Sequence, residues 1–395
     1  MNPGTPTRVL HVLEATLGGT RRYVEDLAGA SNDASYVNAI AYGTARADAA
    51  FYTLLDEMHA SGWQSFDIDL RRRVDVGHDF RSVMKLREVI ATFRPDIIHG
   101  HSSKGGAIAR LAVIGNRRRP SIVYSPNAVA VDLGLQYSIA EHLLAPFTDV
   151  FAAISASERR ELMDLRLGSA TSVQVVSPTI RSEYFAPRDR ASARVELGLG
   201  NEPLVIGIGR LAPQKDPLGF VETIVATREF VPDLQAIWIG DGELRGAMEA
   251  AIASAGLQDA VRITGWLTDV RPYIAACDVF LSSAAYESFG YVTAEALAMG
   301  RPVVASSING TIDIVTTDID RALFSPRDFS AAARAIAAFI REPAMAAAVA
   351  ARGRQRILEA FSPETTRRHL AEAYANLSPR TAPVLVATPL DTPVA

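Results

Sequence analysis

The chain has 395 residues, too many for one ordinary hydrophobic core and enough for two α/β domains. Hydrophobic residues make up 48% and charged residues 21%, a globular balance that excludes a disordered chain; a net charge of −4 argues against attraction of the whole protein to nucleic acid. The N-terminus has no apolar core of signal-peptide length, and no apolar stretch is long enough to span a bilayer, so a cytoplasmic protein is expected, at most bound to the inner face of the membrane.

Short apolar runs alternate with longer helical patterns, the rhythm of parallel strands joined by right-handed crossovers. Arg8–Leu13 opens the series. It leads into Leu17-Gly18-Gly19-Thr20, a glycine turn of the kind that lets backbone approach phosphate, although such turns are also common punctuation. Residues 38–42 form a second strand-like run. Asp67 and Asp69 have Asp-X-Asp spacing, as do Asp318 and Asp320, but both pairs lie in turn-like regions without further ligands. Two basic runs, Arg71–Arg73 and Arg117–Arg119, suit either a solvated loop or a surface for anionic lipid or a phosphate-bearing acceptor. Val83, Leu86, Ile90 and Phe93 recur at helical spacing until Pro95 ends the pattern.

The strand 96–99 is followed by His99-Gly100-His101-Ser102-Ser103-Lys104. His99 reads as a strand-end residue packed in the core, while His101 and Lys104 are expected in a loop able to touch a ligand. Further strands are expected at 121–124 and 150–154, and Pro178, Pro187 and Gly198-Leu199-Gly200 mark a connection. A second series has strands at 204–208, 235–239, 261–264, 279–282 and 302–306. The lone Cys277 lies in one of its apolar runs and reads as a small buried hydrophobe. A last helix is expected over 363–377, and the Pro- and Thr-rich tail 378–395 is expected to be disordered.

Ligands of doubly wound sheets bind beyond the carboxyl ends of the strands, and two motifs of the second half lie there. Gly207 to Asp216 places Arg210 and Lys215 on a loop after the first strand, where two cations can neutralise a departing diphosphate without a metal. The segment Glu287-Ser288-Phe289-Gly290-Tyr291-Val292-Thr293-Ala294-Glu295 runs from a loop into a short helix over 292–299. Gly290 allows the turn, and the N–H groups of Gly290, Tyr291 and Val292 are expected to face a diphosphate. Glu295 looks back toward the helix start, where a pair of sugar hydroxyls suits it better than phosphate.

Together these features resemble the retaining glycosyltransferases of family 4, also called glycosyl transferases group 1, of the bacterial surface-polysaccharide type. Glu287 and Glu295 match the family's Glu-X7-Glu motif, and Gly209-Arg210-Leu211 with Lys215-Asp216 matches its phosphate loop. The resemblance covers about residues 8–377. It implies a GT-B fold, an α/β architecture of two Rossmann-like doubly wound domains facing across a cleft. The acceptor-side domain would be 1–180 and the donor-nucleotide domain 181–361, with helix 362–377 crossing back. Arg210 and Lys215 would hold the donor diphosphate and stabilise it on departure. Glu287 would contact the donor sugar and Glu295 the ribose. Ser288, Phe289 and the helix start would line the donor site, Trp266 and Leu267 would lie near the base, and Gly18 and Gly19 would let the first domain approach. The donor would be a nucleoside-diphosphate sugar, UDP ahead of GDP; the acceptor would be a lipid-linked saccharide or a small molecule. No metal or resident cofactor is implied. One departure stands out: Asn127 occupies the place where members often carry a histidine, and it cannot carry a proton at neutral pH. The rivals are a sugar-nucleotide epimerase of similar fold and a catalytically silent donor-binding partner subunit.

Overall fold

The computed structural model describes residues 5–116, 118–129, 134–316, 322–375, 377 and 380–381. The N-terminal half alternates β1 (Thr7–Leu13), α1 (Gly19–Ala30), β2 (Tyr36–Tyr42), α2 (Ala49–Ala60), β3 (Gln64–Asp67), α3 (Val76–Phe93), β4 (Ile97–His101) and α4 (Ser102–Ala112). It continues through β5 (Arg118–Arg119), β6 (Ser121–Ser125), α5 (Leu135–Leu144), β7 (Val150–Ala153), α6 (Ala156–Asp164) and β8 (Val173–Val175). The second half begins with α7 (Arg190–Leu197), β9 (Leu204–Ile208), α8 (Pro217–Arg228), β10 (Gln235–Ile239), α9 (Arg245–Ser254), β11 (Val261–Ile263) and α10 (Arg271–Ala276). It runs on through β12 (Val279–Ser282), α11 (Tyr291–Ala298), β13 (Val303–Ser306), α12 (Thr311–Ile314), β14 (Leu323–Phe324), α13 (Phe329–Arg341) and α14 (Pro343–Ala360). Helix α15 (Pro363–Ala375) and β15 (Arg380–Thr381) close the chain.

Two parallel sheets result, ordered β3-β2-β1-β4-β6-β7-β8 and β11-β10-β9-β12-β13-β14. Both have the doubly wound form, in which the strand order reverses beside the first strand of each half. The central strands read as unbroken apolar runs because helices cover both faces: Ile97, Ile98, Ile122, Val123, Val205, Ile206, Val303 and Val304 are all fully buried. The two-domain GT-B architecture implied by the motifs is therefore the one observed. The short strands β3, β8 and β14 were not expected; at two to four residues they carry too little pattern to stand out.

Helix α15 returns to the first half and packs on α1, and the Tyr374 hydroxyl meets His99 Nδ1 at 2.8 Å. The tail is not wholly without structure, since Arg380–Thr381 pairs antiparallel with Arg118–Arg119. The remainder of 378–395, like Asp318, Asp320 and Arg117, lies outside the described residues. Cys277 is fully buried and burial pushes its thiol up to about 12, so it acts as a small hydrophobe.

Candidate active site

The carboxyl ends of β9 and β12 adjoin, and their loops are locked together. After β9 the chain turns through Gly209, where a side-chain carbon would come within 2.9 Å of the Lys215 stem. The indole of Trp238 donates to the Gly209 carbonyl at 3.0 Å, fixing the turn from below. Lys215 ends a one-turn 3-10 helix, Pro213–Lys215, and Asp216 follows with φ of 45°. Asp216 tolerates this left-handed conformation because its carboxylate caps α8, accepting from Gly219 N at 3.0 Å. Ser283, just past β12, donates to the carbonyls of Lys215 and Asp216 at 3.1 and 2.8 Å. Lys215 then pairs with Glu287, joining the two motifs directly. Arg210 is exposed and makes no ion pair among the described residues.

Gly290 caps α11 with φ of 98°, and the helix begins at Tyr291, one residue earlier than the sequence pattern suggests. No side chain caps this end, so its first N–H groups are free for a ligand. Ser288 reaches across the cleft and donates to the Asn127 carbonyl at 3.0 Å. Phe289 does not line the site with its side chain: it is buried between the rings of Tyr291 and Phe361, so only its backbone faces the loop. Trp266 stands exposed after β11 and offers a face for stacking.

Glu295 is buried, and its carboxylate is paired with Arg22 of α1. Burial pushes that carboxyl above the usual range, and Arg22 pulls it back. The Arg22 guanidinium lies 4.4 Å from the centre of the Tyr291 ring. Tyr291 in turn donates its hydroxyl to Asp26 Oδ2 at 2.8 Å, and a side-chain carbon added at Gly19 would lie 4.0 Å from the Tyr291 ring. The glycine turn after β1 thus brings the start of α1 against the start of α11. Arg22, Asp26 and Tyr291 were not singled out for this role in the sequence. The available signal was Glu295 itself, an acid inside an apolar helix that must find a cation when buried.

Two expectations need correction. His101 is not in a loop; it is the last residue of β4 and fully buried, with Nε2 2.9 Å from His11 Nδ1. Two neighbouring strands, β1 with His11 and β4 with His99 and His101, bring these rings together, so their nitrogens cluster within 4.8 Å, and burial keeps all three neutral. The cluster is partly hydrogen-bonded: His11 Nε2 and His101 Nδ1 are shielded from solvent and have no protein partner. His99 spends both ring nitrogens, on Tyr374 and on Ser125, while the first bonded pair of nitrogens face each other. Lys104 is likewise not in a loop but in the first turn of α4, where Asp79 of α3 holds it at 2.6 and 2.7 Å. Asp67 and Asp69 form a local turn, Asp67 accepting from Asp69 N at 2.8 Å.

Asn127 follows β6 in a left-handed conformation, φ 55°, and Ala128 has φ 115°. Glu158 of α6 holds this loop by accepting from Ala128 N at 2.8 Å and Ile154 N at 2.7 Å. The Asn127 Oδ1 is shielded from solvent and has no protein partner. Glu14 Oε1 and Thr16 Oγ1, after β1, are in the same condition. Buried acceptors of this kind call for a ligand or water.

Two doubly wound halves of this shape place an uncapped helix start and a lysine-bearing loop at the switch point of the second sheet, where such folds bind their ligands. Comparison with known proteins agrees. The family described as glycosyl transferase 4-like domain matches residues 18–179, and that described as glycosyl transferases group 1 matches 202–342. The chain belongs to the group 1 glycosyltransferases. It is 27% identical over 273 residues to UDP-Gal:alpha-D-GlcNAc-diphosphoundecaprenol alpha-1,3-galactosyltransferase of Escherichia coli, covering 66% of this chain and 70% of that one. It is 30% identical over 239 residues to D-inositol 3-phosphate glycosyltransferase of Stackebrandtia nassauensis, covering 54% and 53%. Among solved structures, Anabaena HepE in complex with UDP superposes with a TM-score of 0.79 at 22% identity, over 94% of this chain and 100% of that one. Sucrose-phosphate synthase from Thermosynechococcus elongatus gives 0.76 at 21% identity, over 94% and 99%. An epimerase reading is set aside by this membership.

Burial pushes Glu158 up to about 7 from an ordinary 4.5. Folded protein then holds a proton that unfolded chain releases, so this group's stabilisation is complete below about 4.5 and is lost as pH rises to about 7. Glu158→Gln does not titrate. In urea unfolding, the wild type's advantage over this variant should be larger at about pH 5 than at about pH 8. A gap that is constant or grows with pH contradicts the assignment.

Proposed function

We propose that this chain is a retaining, metal-independent hexosyltransferase that moves a sugar from a nucleoside diphosphate to an acceptor hydroxyl in surface polysaccharide or glycolipid synthesis. The observation that carries this reading is the Lys215–Glu287 pair, which ties the loop that also bears Arg210 to the loop before the uncapped start of α11, at the adjoining ends of β9 and β12. Two loop cations and a helix start on these joined loops suit a diphosphate that gains charge as it leaves. UDP is preferred over GDP, in keeping with the UDP complex of HepE and the UDP-Gal of the Escherichia coli relative. That relative's name also specifies a diphosphoundecaprenol-linked acceptor, and a lipid-linked saccharide is the acceptor class proposed here.

In the reaction, the bond between the anomeric carbon and the diphosphate oxygen breaks heterolytically. The electron pair stays on the diphosphate, held by Arg210, Lys215 and the α11 amides. The acceptor oxygen attacks the oxocarbenium-like carbon from the same face and loses its proton to the departing phosphate oxygen. Lys215 must shift its charge from Glu287 toward the diphosphate, which frees Glu287 for the sugar hydroxyls. No protein base is needed, so Asn127 in place of a histidine does not stop the chemistry; its free Oδ1 is suited to a sugar hydroxyl. Closure of the domains excludes water. A silent donor-binding subunit would keep the same cations, and nucleotide release in the presence of acceptor separates the two.

The first domain also has a face suited to anionic lipid. Helix α3 exposes Val76, Phe80 and Met84 on one stripe, and α5 exposes Leu135, Ile139 and Leu143. Helix α4 packs between α3 and α5, so the stripes share one side of the sheet. Arg71, Arg72, Arg73, Arg81 and Lys85 are exposed around the α3 stripe. The other basic run contributes less, because Arg119 is held by Asp149 at 2.7 Å. No described helix is long and apolar enough to cross a membrane.

Arg210→Ala or Lys215→Ala is expected to lower transfer by about two orders of magnitude or more with an unchanged melting temperature. Undiminished turnover in either variant ends this mechanism. In flotation with anionic vesicles, Phe80→Asp combined with Ile139→Asp is expected to release the protein, with donor binding intact. Equal flotation of both proteins rules the lipid face out.

A further inference from the structure

Arg22 is more than the partner of Glu295. Only its Nη1 makes that ion pair; Nε and Nη2 are shielded from solvent and have no protein partner. Although 20% of the side chain remains exposed, two shielded guanidinium donors left unused are costly, because each has given up water without gaining a protein partner. The side chain is also held in place. Its guanidinium lies 4.4 Å from the ring centre of Tyr291 and 5.6 Å from that of Phe185. Tyr291 is fixed in turn by its bond to Asp26.

The position is specific. Arg22 lies in the first turn of α1, its N–H bonded to the Gly18 carbonyl at 3.2 Å. Tyr291 is the first residue of α11. The guanidinium therefore sits between two helix starts, α1 from the first domain and α11 from the second. Neither start has a side-chain cap or an acidic residue in its first turn. A fixed fork with two free N–H groups beside two such ends matches an oxyanion rather than a neutral hydroxyl.

We propose that Arg22 is a donor-binding residue supplied by the N-terminal domain: Nη1 stays on Glu295 while Nε and Nη2 receive oxygens of the donor's diphosphate. This rests on the donor site assigned above and adds a third cation to Arg210 and Lys215, from the opposite side of the cleft. Donor binding then draws the two domains together through one side chain, and Glu295 orients that side chain.

The test is titration calorimetry of the full chain with UDP and UMP, and with GDP and GMP in parallel; the pair the wild type binds is scored. Arg22→Lys keeps a cation for Glu295 but loses the fork. It should bind the diphosphate at least about tenfold more weakly while holding the monophosphate within about twofold, because the lost contact is with the second phosphate. Glu295→Gln breaks the same ion pair but leaves the fork, so its ratio of diphosphate to monophosphate affinity should stay near that of the wild type. Melting temperatures identify any variant that fails to fold, and the second variant carries the test if the first is lost. Wild-type diphosphate affinity in Arg22→Lys overturns the proposal. So does equal weakening of both nucleotides, or a loss of the ratio in Glu295→Gln, either of which marks a strut between the domains. Failure of the underlying donor site looks different: the wild type and Arg210→Ala then bind none of the four nucleotides, and both readings fall.

Discussion

The ion pair between Arg22 and Glu295 is the contact on which the arrangement of the cleft depends. It joins the first helix of one sheet to the motif helix of the other, with Glu295 buried and Arg22 keeping 20% of its side chain exposed. Removing Arg22 would strand the Glu295 carboxylate out of water, at a cost of up to about 3–5 kcal/mol. The aromatic ring beneath it and the bond from Tyr291 to Asp26 extend the same contact across the interface. A further link between the halves runs beside it: Ser157 N donates to Asp313 at 2.8 Å. The two starts of α1 and α11 are thereby held face to face, and the space they enclose favours negative charge.

Glycines make that approach feasible. Gly18 sits at φ 77° directly before α1, a conformation that other residues adopt only with strain. Gly240, at φ 137°, passes so close to the Gly209 carbonyl that a side-chain carbon would lie 2.1 Å from its oxygen. These are backbone contacts that cannot yield by moving a side chain. The loop bearing Arg210 and Lys215 is consequently set by the sheet beneath it rather than by its own sequence. This is how a flexible lysine can be positioned against Glu287 before any ligand arrives.

The fold was legible in the sequence because buried parallel strands leave long apolar runs, as at Leu204–Ile208 and Val303–Ser306. The second-half motifs were legible because residues that serve one ligand from one loop are close in sequence, as Arg210 and Lys215 are. Contacts between the halves were not, since Arg22 and Glu295 are 273 positions apart and no periodicity links them. His101 and Lys104 were misplaced for a related reason. A polar residue at a strand end looks available when its partners, His11 and Asp79, cannot be seen in sequence. Phe289 belongs to the same group, as a motif residue whose ring serves the core.

The central claim is that the later domain grips a pyrophosphate between two loop cations and a helix start. A crystal structure of the full chain soaked with the nucleoside diphosphate it binds tests this most directly. The account predicts both phosphates over the N–H groups of Gly290, Tyr291 and Val292, with Arg210 and Lys215 turned onto them and Lys215 released from Glu287. A nucleotide lodged elsewhere, or one bound while Lys215 and Glu287 remain paired and Arg210 remains in solvent, would contradict it.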